Sequence, residues 1–65
     1  MFSVGDYVCN QKTGEIGEVI GYGHQILDSG YTTTLKVLVA QSEGYGRKRF
    51  VTEDLYSAWS MCSDK

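Results

Sequence analysis

Sixty-five residues with a mass of 7.2 kDa fit one domain and leave no room for a second. A hydrophobic share of 42 % with a net charge of only −2 excludes the composition of a disordered chain. No apolar run approaches the roughly 18 residues of a membrane-spanning helix, which excludes one. Met1-Phe2-Ser3-Val4-Gly5-Asp6 has no basic stretch followed by an apolar one, so no signal peptide is expected. A deep pocket lined by several catalytic groups is hard to build at this size, where only about 60 % of the unfolded surface is buried. We therefore expect no enzyme.

Eight glycines and no proline punctuate short β-branched and aromatic runs, the pattern of an all-β domain with tight turns. The first strand is expected at residues 7–10, followed by a turn at 11–14 in which Gly14 takes a positive φ cheaply. The second covers residues 16–22, where Gly17 and Gly21 permit bending or the close approach of another backbone. Residues 23–30 read as a loop. The third strand, at 31–40, carries the clearest alternation: Leu35, Val37 and Val39 to one face, and Thr34, Lys36 and Leu38 to the other. A polar turn at 41–46 leads to a fourth strand at 47–51, with Phe50 in the core.

The end of the chain has two readings. Thr52 can cap a helix whose first turn holds Glu53 and Asp54, and Leu55, Trp59 and Cys62 then form a helical stripe. The preferred alternative is one 3₁₀ turn at 53–55 followed by a short strand at 56–59, which covers an open sheet edge. Residues 60–65 are then a polar tail beyond a core spanning about residues 2–59.

Val4-Gly5-Asp6-Tyr7-Val8, Gly14-Glu15-Ile16-Gly17-Glu18-Val19, Leu35-Lys36-Val37, Phe50 and Glu53-Asp54-Leu55 resemble small SH3-like barrels. The opening Val-Gly-Asp-x-Val and Gly-x-x-Gly-x-Val are similar to the KOW type in particular. The resemblance implies a five-stranded SH3-like barrel with a 3₁₀ turn before the last strand. Such barrels act as RNA-contacting modules, as peptide or methyl-lysine binders, and as accessory subunits, so the fold does not fix the function.

Chemistry-bearing residues are sparse. His24 reads as a solvated loop residue, and Glu53-Asp54 as turn chemistry rather than acid–base machinery. Gly21-Tyr22-Gly23 lacks the further glycine and helix of a phosphate cradle. Cys9 and Cys62 form neither a disulfide framework nor the paired spacing of a zinc site. No metal or cofactor is expected, and the thiols point to a reducing, cytoplasmic setting.

Two binding surfaces remain. Ile20, Tyr22, Tyr31 and Leu38 would form an outward apolar and aromatic patch for a protein partner, with Trp59 as a further anchor. Tyr45, Arg47, Lys48 and Arg49 would contact RNA or DNA by stacking and phosphate pairing. A pI near 5.1 denies the whole molecule the positive charge of nonspecific nucleic-acid binders, so that contact would have to be local.

Overall fold

The computed structural model describes residues 1–28 and 30–62, and of Ser42 and Glu43 the backbone alone. Five strands run in chain order: β1 (Tyr7–Asn10), β2 (Ile16–Leu27), β3 (Gly30–Glu43), β4 (Gly46–Leu55) and β5 (Trp59–Met61). A 3₁₀ turn, Tyr56–Ala58, precedes β5. All neighbours are antiparallel, in the spatial order β4-β3-β2-β1-β5. The protein is all-β with the expected turn before the last strand, and its single sheet curls without closing, so a barrel is approximated only. Among the described residues no helix is long and apolar enough to cross a membrane.

Alternation builds the core. Val8, Gly17, Val39 and Phe50 follow one another across four strands, and Val19, Val37 and Thr52 form the next row. Opposed residues share a sheet face, and this face holds Val8, Val19, Leu35, Val37 and Val39, each at most 3 % exposed. Ala58 and Trp59 close over them, with Phe2, Phe50, Leu55 and Tyr56 packed at the margin. Gly17 is required where β2 crosses β3. A Cβ there would overlap the Leu38 carbonyl oxygen and the Val37 side chain, the close backbone approach expected at this glycine.

Several boundaries differ from the sequence expectations, among them the polar turn at 41–46, which shrinks to Gly44-Tyr45 because β3 runs to Glu43 and β4 begins at Gly46. Residues 23–30 are not a loop: β2 continues to Leu27 and β3 begins at Gly30, so the hairpin turns within two residues. β4 likewise runs on to Leu55, and the 3₁₀ turn falls at residues 56–58 rather than 53–55. β5 then takes residues 59–61, so the polar tail expected from residue 60 starts later, and residues 63–65 lie outside the described residues. Each difference has the same cause. Strand pairing extends wherever a partner strand offers unpaired backbone groups, even where side chains are polar or small.

The two long hairpins stretch the molecule to 43 × 25 × 20 Å. Its radius of gyration is 12.6 Å, against about 11 Å for a compact chain of this length. The difference comes from the two hairpins, and the distal halves of β2 and β3 form an arm beyond the core.

Candidate functional site

A β-bulge decides what the arm presents. Val19 pairs with Val37, but the next registered pair is Gly21 with Lys36, so Ile20 is an extra residue without an opposite number. One inserted residue reverses which side chains reach which face. Beyond the bulge Tyr22 therefore pairs with Leu35 on the core face, followed by His24 with Thr33 and Ile26 with Tyr31. The core does not extend so far, and these side chains emerge into solvent: Tyr22 is 44 % exposed, Ile26 72 % and Tyr31 77 %. The His24 imidazole meets the Tyr31 ring edge-on, with centroids 6.3 Å apart.

At the root of the arm the N-terminal segment is tied to this face. The Phe2 N–H donates to the Tyr56 hydroxyl at 2.7 Å, the Tyr22 hydroxyl donates to the Phe2 carbonyl, and the Phe2 and Tyr56 rings pack with centroids 4.9 Å apart. Beside them lies an open groove of about 700 Å³, lined by Met1, Tyr22, Thr32, Thr33, Tyr56 and Ser57. Its walls carry aromatic and aliphatic surface with several hydroxyls and no charged side chain.

The four residues expected to form one apolar patch, and Trp59 as its further anchor, are separated. Tyr22 and Tyr31 share the arm face. Leu38, opposed to Glu18 and Val51, lies on the other face of the sheet, half-buried beside a shallow hollow bordered by Tyr7, Ile16 and Arg49. Ile20 is 42 % exposed at the bulge. Trp59 is 4 % exposed and belongs to the core, so it has no surface to offer as an anchor; the reading of it as exposed is corrected by its inward position opposite Asn10. Straight alternation from Val19 puts Tyr22 on the side of Leu38, and the bulge reverses that. Ile26, Met1 and Tyr56 were missed as surface residues. The signal for Ile26 was the period-2 spacing Tyr22-x-His24-x-Ile26, hidden by reading residues 23–30 as a loop.

The basic residues lie on the β3–β4 hairpin. Tyr45 stands in its turn, fully exposed. Arg47 and Arg49 project from one face and Lys48 from the other, as strand alternation requires. All three are exposed.

Elsewhere the polar groups serve the fold. Asn10, 2 % exposed, accepts the N–H groups of Lys12 at 2.8 Å and Thr13 at 3.0 Å and donates to Asp54 at 3.1 Å. Asp54 also accepts the Leu55 N–H and pairs with Lys12 at 3.2 Å. The Asn10 amide first, then the Leu55 N–H and the Lys12 ammonium, hold its carboxyl below the ordinary 3.8 despite partial desolvation. Among the described residues no three His, Cys, Asp or Glu side chains gather as metal ligands would. No known protein family, curated protein or solved structure matches this chain.

Proposed function

We propose that this chain is a non-catalytic interaction module, a small cytoplasmic accessory subunit that docks a partner protein through the arm face and its adjoining groove. One observation carries the reading: Tyr22, Ile26 and Tyr31 stand exposed on one face of a two-stranded ribbon, beside a groove lined without charged side chains. Aromatic and aliphatic groups of this kind form the anchors of protein interfaces. Covering Ile26 or Tyr31 completely is worth about 1.5–3 kcal/mol each, enough to hold a specific contact. The occupant this chemistry favours is an uncharged, apolar segment of another protein chain that can hydrogen-bond to the groove's hydroxyls. No lysine, arginine or histidine side chain lines it to meet a phosphate backbone.

The test is affinity capture from native lysate, split into nuclease-treated and untreated halves, with wild type beside three variants. Proteins retained after nuclease should be lost with Ile26→Asp combined with Tyr31→Ser. They should survive Leu38→Asp, because Leu38 lies on the opposite face, with circular dichroism confirming each fold. Retention that follows Leu38 instead would move the interface to the other face. Nucleic acid that co-purifies and disappears with Arg47→Ala combined with Arg49→Ala would replace this reading by contact through the basic hairpin.

A further inference from the structure

The long edge of the sheet is β4, which pairs with β3 and, among the described residues, with no other strand. The turn before it fixes which of its backbone groups are engaged. Glu43 and Gly46 are directly paired across the two-residue turn Gly44-Tyr45, and a pair closing so short a turn exchanges both backbone hydrogen bonds. Gly44 supplies the positive φ, 58°, that such a turn takes at its first central position. Hydrogen-bonded residues then recur at every second position. Gly46, Lys48, Phe50, Thr52 and Asp54 turn their N–H and C=O groups to β3. Arg47, Arg49, Val51 and Glu53 turn theirs to the open edge.

Charges on an edge strand ordinarily block its pairing with another chain. Here they are sorted by sign: Arg47, Lys48 and Arg49 in the first half, Glu53 and Asp54 in the second, with Phe50-Val51-Thr52 between. Two such strands running parallel in register would set like charges side by side. Laid antiparallel about Val51, the strand sets Arg49 opposite the second copy's Glu53, and the reverse, on the outer face.

The geometry points to a symmetric dimer of this chain, formed by antiparallel pairing of two β4 edges centred on Val51, with Arg49 of each copy facing Glu53 of the other. Val51 is 55 % exposed and ends a cross-strand row that runs from Tyr7 through Glu18 and Leu38. Pairing continues this row into the second copy through the two valines. Among the described residues Arg49 has no ion pair of its own. The register also brings Lys48 opposite Asp54 on the other face, but Asp54 is already held by Asn10 and Lys12. Glu53 accepts the Thr34 hydroxyl through Oε2 alone, and a carboxylate can take further donors, so the dimer rests on Arg49, Val51 and Glu53. The arm face and its groove take no part, and the dimer stands or falls independently of partner docking. A single strand ladder buries less than the roughly 1,200 Å² of a stable interface, so the association is concentration-dependent.

The experiment is sedimentation equilibrium of the full chain, alone and as charge variants. The native chain should move from 7.2 kDa toward twice that mass as concentration rises. Arg49→Glu alone and Glu53→Arg alone each place like charges at both symmetric contacts and should weaken self-association roughly ten- to hundredfold. An equimolar mixture of the two restores opposite charges at both contacts and should recover the native mass. Should either variant lose its fold, the native chain decides by amide exchange: the N–H groups of Arg49, Val51 and Glu53 should slow as concentration rises. A monomer throughout, up to about 1 mM, overturns the proposal. So does a dimer indifferent to both single reversals, a mixture of folded variants that stays monomeric, or edge amides whose exchange is independent of concentration.

Discussion

Asn10 is buried at the start of the first turn and every hydrogen-bonding group of its amide that points inward is engaged. Its Oδ1 replaces backbone acceptors for two turn amides, and its Nδ2 reaches across to β4. Asn10→Ala removes all three contacts and leaves the Lys12 and Thr13 amides without their acceptor, which should cost about 1–3 kcal/mol in urea denaturation. Asp54 links that turn to pH. Its folded value lies below 3.8, so the unfolded state binds the proton more readily. The stabilisation is fully present above 3.8 and is lost as pH falls through the lower folded value. Denaturation of wild type and Asp54→Asn across acid pH should show their difference shrinking below that point. Trp59 poses the opposite situation, since its buried indole N–H meets no acceptor among the described residues. Trp59→Ala should cost about 3–5 kcal/mol through the cavity it leaves. Trp59→Phe sheds the unmatched donor along with some packing, and should cost less than about 1.5 kcal/mol.

Within the elements, the same sheet is rigid where it is buried and loose where it is not. Gly17 lies where β2 and β3 backbones nearly touch, so Gly17→Ala forces the strands apart and should destabilise by about 1–3 kcal/mol. Past Ile20 the ladder continues, but few side chains on the arm are buried. Amide exchange should therefore be much faster across residues 23–27 than at Gly17 and Val19, because opening the arm exposes no core. The bulge also limits how far element-level reading could go. The second strand was legible from its apolar spacing, yet the face on which Tyr22 emerges depends on one unpaired residue. Nothing local to Tyr22 announces it. The extension of β2 to Leu27 was obscured for a related reason: glycine and polar residues mark loops on average, but a matching partner strand overrides that preference.

For the whole molecule, a small core supports two projecting hairpins that carry different chemistry. The arm of β2 and β3 offers aromatic surface, and the β3–β4 hairpin offers charge. A thin core makes stability sensitive to association. If β4 edges pair, the apparent melting temperature should rise with protein concentration for the native chain and for the mixed charge variants, but not for Arg49→Glu alone. Differential scanning calorimetry over a range of concentrations reads this directly. A net charge of −2 with separated basic and acidic stretches makes high salt a second check, since screening should lower the concentration dependence.

The sequence by itself determined the all-β class and most of the core. Leu35, Val37 and Val39 alternate with Thr34, Lys36 and Leu38, and the glycines mark where strands turn or touch; both are properties of neighbouring residues along one chain. Only the tertiary structure decided which face Tyr22 and Tyr31 share, that Trp59 turns inward beside Asn10, and that the edge of β4 is left open. These depend on cross-strand register, where one extra residue at Ile20 reverses every side chain that follows, and on which edges remain unpaired once all five strands have found their places.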